Sequence, residues 1–172
     1  MRRLVFALVL VGCGATNTPE SHPGRASEPV LSEGVSAVES ACFAEERCDA
    51  LDSDCDGRID EGCTGEAPGG LQIGLAWSGA AALALELTPS TPSTETAPAA
   101  DGCEGLGPHF EHLAVEEPSG AYQISVRREH PCEDDQPTAA SVTVAVGGER
   151  LGTFNVTVGE ETAQVVSFSV GR

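Results

Sequence analysis

The chain has 172 residues, of which 27 are acidic and 9 are basic, giving a formal net charge of −18 at pH 7. Every basic residue is an arginine, which excludes Walker-type phosphate loops and Schiff-base chemistry, because both require lysine. The excess of negative charge repels phosphate backbones, so nucleic acid is not expected as a partner.

The N-terminus has the pattern of an export signal. Two arginines follow Met1, and the next eight residues are all apolar. Such a run is too short to cross a bilayer core, which takes about 20 residues in a helix. The run ends in Leu10-Val11-Gly12-Cys13, which resembles the lipobox of bacterial lipoproteins. The resemblance implies that residues 1–12 are a signal peptide and that Cys13 is acylated.

The expected location follows from that anchor. An acylated Cys13 would hold the mature chain in the cell envelope, since buried acyl chains bind the bilayer strongly. The outer membrane is expected rather than the inner membrane. The alternative is an ordinary secretory signal in which Cys13 is incidental.

Six cysteines remain if Cys13 carries lipid, and an even number in an exported chain predicts three disulfides. They are Cys42, Cys48, Cys55, Cys63, Cys103 and Cys132. Their grouping suggests that the first four close a short acidic segment, residues 41–64, while Cys103 and Cys132 pair in a later domain. The connectivity stays open. A zinc site is the competing interpretation of the first four, but their spacing contains no C-x-x-C pair.

Composition divides the rest of the chain. Residues 13–40 are rich in Pro, Ser, Thr, Gly and Glu and show no periodicity, which predicts a disordered tether after the lipidated cysteine. The acidic segment follows, and a Pro-Gly-Gly linker then leads into residues 71–172.

Residues 71–172 alternate apolar and polar side chains, which is typical of β-strands. Seven such segments occur, at 71–77, 83–87, 110–115, 122–126, 142–146, 154–158 and 166–170. β-Branched residues cluster within them and Gly or Pro separates nearly all of them, which disfavours helix. The pattern predicts an all-β fold, an antiparallel β-sandwich of about seven strands.

The acidic segment has the spacing of an EF-hand-like loop. If Asp52 is position 1, Asp54 and Asp56 are positions 3 and 5, and Gly57 is the sharp turn at position 6. The next candidate ligands are the carbonyl of Arg58 at position 7 and the carboxylate of Asp60 at position 9. Position 12 is Cys63, so the usual bidentate glutamate is missing unless Glu61 replaces it.

The run from Cys48 to Cys63 resembles the metal-binding repeat of exported bacterial proteins named after MopE, whose consensus is close to C-D-G-x-D-N-D-C-D-G-x-x-D-E. The resemblance implies calcium binding at the aspartates above. Two departures are Ala50 in place of Gly and Ser53 in place of Asn. More faintly, the later strands resemble exported β-sandwich domains, although alanines replace the acidic pair of those domains.

These patterns predict a non-catalytic binding or structural module with a weak structural calcium site. Enzyme motifs with a paired nucleophile and base are missing from the sequence, so no enzymatic activity is expected. His109 and His112 would face opposite sides of a strand rather than form one site. The expected partner is an unknown protein or a surface glycan. A lipoprotein that sequesters or delivers a metal ion is the alternative function, and an acidic loop that binds nothing is the alternative for the site.

Overall fold

The computed structural model describes residues 24–39, 41–63, 70–89, 94–95, 107–130 and 136–171. The predicted signal peptide, the lipidation site Cys13 and the cysteines Cys103 and Cys132 lie outside the described residues. The described part of the chain is all-β and contains no helix. It accordingly has no helix with the length and apolar character needed to span a membrane.

Among the described residues, ten strands form two antiparallel sheets that pack face to face as a β-sandwich. The strands are β1 (Val30–Leu31), β2 (Ser36–Val38), β3 (Leu71–Ser78), β4 (Ala82–Thr88), β5 (Thr94–Glu95), β6 (Pro108–Val115), β7 (Gly120–His130), β8 (Thr138–Val146), β9 (Glu149–Val158) and β10 (Ala163–Val170). The order in the four-stranded sheet is β1-β10-β7-β4. The order in the six-stranded sheet is β2-β9-β8-β3-β6-β5.

The predicted sandwich is confirmed. All seven alternating segments are strands, namely β3, β4, β6, β7, β8, β9 and β10. Their alternate apolar residues meet between the sheets because successive side chains of a strand point to opposite faces. Register aligns them in rows; for example, Leu75 of β3 pairs with Val142, which pairs with Phe154. All three side chains are almost completely buried.

The buried aromatics anchor this core. Trp77 is 4 % exposed, and its indole nitrogen donates a hydrogen bond to the carbonyl of Ala81 at 2.7 Å. Tyr122 packs against Phe168 with 5.8 Å between ring centroids, and its hydroxyl accepts from the N–H of Ser119. Each polar tip therefore has a partner, as burial of such a ring requires.

One buried carboxylate links the two sheets. Glu111 of β6 is 4 % exposed, and its Oε2 accepts a hydrogen bond from the backbone N–H of Leu85 at 3.0 Å. Leu85 lies on β4, at the edge of the other sheet. The carboxylate thus occupies a donor that would otherwise be open to edge-to-edge pairing.

The predicted tether contains two strands, which corrects the expectation of disorder for residues 24–39. β1 pairs with β10 at the edge of the four-stranded sheet, and β2 pairs with β9 at the edge of the six-stranded sheet. Local composition missed them because an edge strand of two or three residues is held by hydrogen bonds to its neighbour and needs no apolar pattern of its own.

Candidate metal site

Two interleaved disulfides close the acidic segment. Cys42 is bonded to Cys55 and Cys48 to Cys63, across 13 and 15 residues. The expectation that these four cysteines pair among themselves is confirmed, and their use in disulfides excludes the zinc alternative. A closed loop of about 15 residues stabilises the folded state by about 3 kcal/mol in the chain-entropy model.

The backbone of the segment turns through several left-handed positions. Besides Gly57 and Gly62, three other residues have positive φ: Ala50 at 59°, Cys55 at 67° and Asp60 at 54°. A non-glycine residue in this conformation costs about 1 to 2 kcal/mol of conformational free energy, and less in favourable cases for Asn or Asp. Glycine at position 50 would avoid this cost, whereas the chain has alanine there.

The carboxylate of Glu46 organises the loop from outside the predicted site. Its oxygens accept backbone hydrogen bonds from Ser53, Asp54 and Asp60, at distances of 3.0 to 3.3 Å. Sequence reasoning missed this residue because it precedes the EF-hand-like spacing by six positions. No local pattern distinguishes it from the other glutamates nearby.

The acidic segment packs on the outer face of the six-stranded sheet. A methyl group at Gly74 of β3 would lie 2.0 Å from the carbonyl oxygen of Ala50, so only glycine allows this approach. Likewise, a methyl group at Gly57 would lie 2.1 Å from the carbonyl oxygen of Gly148, in the turn between β8 and β9. The N–H of Ile59 donates to Oε1 of Gln72 at 3.0 Å.

The outer face beneath the segment is therefore buried, although its residues are polar or small. Thr143 is 0 % exposed and Thr153 5 % exposed, and their hydroxyl oxygens are 3.0 Å apart. When a strand is covered on both faces, its polar and small residues are buried as well as its apolar ones, so exposure no longer alternates along it. The segment is thus a layer of the sandwich rather than a separate unit between the tether and the sandwich.

Asp60 has a structural position that differs from the predicted ninth ligand. Its Oδ1 accepts the N–H groups of Asp49 and Ala50 at 3.1 Å each, and its Oδ2 lies 2.6 Å from Nε2 of His112. The structure groups this carboxylate with Glu46 and Asp49 rather than with the first three predicted ligands. Asp60 links the loop to β6.

The first three predicted ligands do converge. Asp52, Asp54 and Asp56 each offer an oxygen, and these oxygens lie within 4.8 Å of one another. The side chain of Asp52 is 0 % exposed. Its Oδ1 is buried and has no hydrogen-bond partner among the described residues. A buried, unpaired carboxylate oxygen is costly, and a bound cation would offset that cost.

The two remaining predicted ligands flank this group. Glu61 lies with Glu46 and Asp54 in an adjoining group whose ligand atoms are also within 4.8 Å. Its Oε2 is buried and unpaired within the described chain. Arg58 is exposed, and its N–H donates to Oδ1 of Asp56 at 2.9 Å.

Burial dominates the electrostatics of the segment. Desolvation raises the pKa of Asp52, and the nearby guanidinium of Arg150 only partly offsets that increase. Desolvation is also the largest cause of the raised pKa of Glu46, Asp49 and Glu61. Neighbouring carboxylates add to the increase in each case. A divalent cation would favour the ionised form of all four groups.

The two histidines face opposite sides of β6, as predicted. His112 contacts the acidic segment through Asp60, while the ring of His109 stacks on Trp77 with 5.2 Å between centroids. The ring nitrogen Nε2 of His109 is 2.9 Å from the carbonyl oxygen of Gly79. They do not form one site.

No protein-family model matches the chain, and no curated protein or solved structure shows significant similarity to it. The resemblance to the MopE repeat therefore stays a prediction. Fold and site define a disulfide-bonded β-sandwich that carries a cluster of carboxylates able to hold a metal ion.

Proposed function

We propose that the protein is a lipid-anchored, non-catalytic module of the bacterial cell envelope whose acidic segment binds calcium as a structural ion. The observation that carries the proposal is the buried, unpaired Oδ1 of Asp52, a residue whose carboxylate lies in a group with those of Asp54 and Asp56. Calcium prefers carboxylate and carbonyl oxygens, and the candidate groups in the described chain contain only carboxylates.

The proposed ion is structural because the loop lacks the bidentate glutamate at position 12. A site with that defect should bind weakly, with a dissociation constant on the order of 10⁻⁴ to 10⁻³ M, as in extracellular modules. Such an affinity suits an environment that is rich in calcium. The bound ion would offset the repulsion among carboxylates that two disulfides hold together.

Calorimetric titration of the mature chain tests the site. Cys13→Ser replaces the acylated cysteine, so that the chain carries no lipid anchor. Calcium, magnesium, zinc and copper are titrated separately. Calcium binding to the unmodified site is expected to give a measurable heat. The double variant Asp54→Ala, Asp56→Ala should lose that heat of binding. The matched control is Glu160→Ala, Glu161→Ala, which removes two exposed carboxylates from the turn between β9 and β10.

Two outcomes would decide against the proposal. Heats that are unchanged in the Asp54, Asp56 double variant would remove the site. Tight binding of zinc or copper in preference to calcium would favour the alternative function of metal sequestration or delivery.

The anchor is tested separately in a bacterial expression host. Labelled palmitate should enter the wild-type chain and be lost in Cys13→Ser, and the wild-type chain should partition with the outer membrane. An unlabelled, freely secreted wild-type chain would support the ordinary signal peptide instead. In either case the partner, a protein or a surface glycan, stays a prediction.

A further inference from the structure

Arg150 brings a positive charge from the sandwich to the candidate metal site. It is the second residue of β9, and its Nε lies 3.7 Å from Oδ2 of Asp52. Its Nη1 also donates a hydrogen bond to the backbone carbonyl of Asp52 at 3.3 Å. The guanidinium side chain is 23 % exposed, whereas that of Asp52 is fully buried.

The two oxygens of Asp52 have different surroundings. Oδ2 faces the guanidinium and accepts the N–H of Gly57 at 3.3 Å. Oδ1 is the buried oxygen that has no hydrogen-bond partner in the described chain. One oxygen is thus oriented by the protein, and the other has no partner in the described chain. The Asp52 carboxylate also contributes an oxygen to the group with Asp54 and Asp56.

We propose that Arg150 is a built-in counter-cation, which stabilises the ionised Asp52 when no divalent ion is bound and keeps the affinity for calcium low. This inference rests on the proposed calcium site. Its physical basis is that a buried carboxylate needs a compensating charge. The same fixed charge repels a divalent ion that binds to the other oxygen of that carboxylate.

A residue of the sandwich therefore controls the calcium affinity of the acidic segment and its stability without the ion. An acidic loop without this arginine would depend on calcium to remain packed on the sheet. With the arginine, the segment stays packed at low calcium, and the gain in stability on binding the ion is smaller. The residue comes from β9, more than 90 positions after Asp52, so the loop sequence alone does not include it.

The test replaces the charge and measures both consequences. Arg150→Gln removes the charge, and Arg150→Lys keeps the charge but not the planar guanidinium group. Arg127→Gln is the control. Arg127 lies on β7 in the opposite sheet, where it pairs with Glu86 at 2.7 Å, so its replacement changes the net charge equally at a distant position. Calcium affinity is measured by calorimetry, and melting temperature is measured in chelator and in saturating calcium.

Arg150→Gln should bind calcium about tenfold more tightly than the unmodified chain, and Arg150→Lys should stay within about threefold, if charge is what matters. Arg150→Gln should also melt at a lower temperature in chelator and recover more on adding calcium. Arg127→Gln should change neither affinity nor the calcium-dependent recovery. Arg150→Gln could leave the segment unfolded in chelator. Refolding of that variant on adding calcium then supports the same inference, provided that Arg150→Lys stays folded in chelator.

Equal or weaker calcium binding by Arg150→Gln, beside measurable binding by the unmodified chain, would overturn the inference and leave the calcium site intact. A gain of affinity in Arg150→Lys as large as that in Arg150→Gln would also overturn it, because geometry rather than charge would then control binding. If neither the unmodified chain nor Arg150→Gln binds calcium, the proposed function and this inference both fall.

Discussion

Single residues decide whether the acidic segment can approach the sheet. Gly74 allows the carbonyl of Ala50 to reach the backbone of β3, and Gly57 allows a similar approach to Gly148. At both positions a methyl group would lie about 2 Å from a backbone oxygen, which cannot move without moving the chain. The segment and the sheet fit together through backbone contacts, with glycine at each point of closest approach.

Gly74→Ala is expected to lower the free energy of unfolding by about 1 to 3 kcal/mol, since the added methyl must displace the Ala50 carbonyl or the strand. Gly159→Ala is the matched control because a methyl group there meets nothing within 4 Å. It should change stability by no more than about 0.5 kcal/mol. Urea unfolding of both variants checks the prediction, which fails if the two lose equal stability.

The buried Asp52 gives the ion-free protein a characteristic pH dependence. Its pKa in the folded chain is raised above the ordinary value of 3.8, mainly by desolvation, so the folded state takes up a proton while the unfolded chain is still ionised. Stability in chelator should therefore rise as the pH falls from neutral through the raised pKa, and level off below 3.8. The carboxyl groups of Glu46, Asp49 and Glu61 act in the same direction.

Melting temperatures in chelator between pH 7 and pH 4 check this dependence. Asp52→Asn is the control, because it has no carboxylate to protonate and should show a shallower slope. Saturating calcium should reduce the slope in the unmodified chain, since the ion binds the ionised form. Identical slopes for the two chains in chelator would contradict the prediction.

At the scale of elements, the short strands β1 and β2 protect the edges of the two sheets. Each pairs with a long strand, β10 or β9, that would otherwise expose its backbone donors and acceptors. Exposed edges favour association between molecules. The first described residues of the chain thus belong to the sandwich.

A chain beginning at Ala41 is expected to associate and to be less stable than a chain beginning at Gly24. The reason is that removal of residues 24–40, which include β1 and β2, uncovers the edges of β9 and β10. Sedimentation velocity over a range of concentrations checks this. Two monomeric chains of equal stability would show that β1 and β2 have no protective role.

The disulfides are the second feature at this scale. Cys48 and Cys63 bracket the loop that contains the predicted ligands, and their bond closes 15 residues. Replacing both by Ser should cost about 3 kcal/mol of loop stability. Calcium affinity should fall as well, because part of the binding energy must then order the loop. Calorimetry of the Cys48→Ser, Cys63→Ser chain checks this, and an unchanged affinity would contradict it.

At the scale of the whole molecule, the acidic segment and the sandwich share one interface. Contacts run from Ala50 to Gly74, from Ile59 to Gln72, from Asp60 to His112 and from Asp52 to Arg150. They involve β3, β6 and β9 of the six-stranded sheet, so loss of the segment would expose the buried outer face of that sheet. The segment and the sandwich should therefore unfold as a single cooperative unit.

This cooperativity is measurable with two probes. Trp77 is the only tryptophan and reports on the sandwich by fluorescence, while the amide of Ile59 reports on the segment by hydrogen exchange. The unfolding free energies from both probes should agree in the unmodified chain. A much lower value at Ile59 would show that the segment opens independently.

The sequence by itself determined the features that depend on local order. Alternation of apolar residues gave the seven long strands, and the close spacing of four cysteines indicated that they pair with one another. The D-x-D-x-D-G spacing brought Asp52, Asp54 and Asp56 together, because residues that close along a turning chain remain close in space.

Only the tertiary structure decided the contacts between distant residues. The role of Glu46, the placement of Asp60 against His112, and the charge of Arg150 beside Asp52 all depend on how the segment packs on the sheet. The short edge strands depend on hydrogen bonds to partners more than a hundred residues away. Periodicity and spacing report on residues that are close in sequence. Burial, charge pairing and edge pairing arise only when parts of the chain that are distant in sequence come into contact.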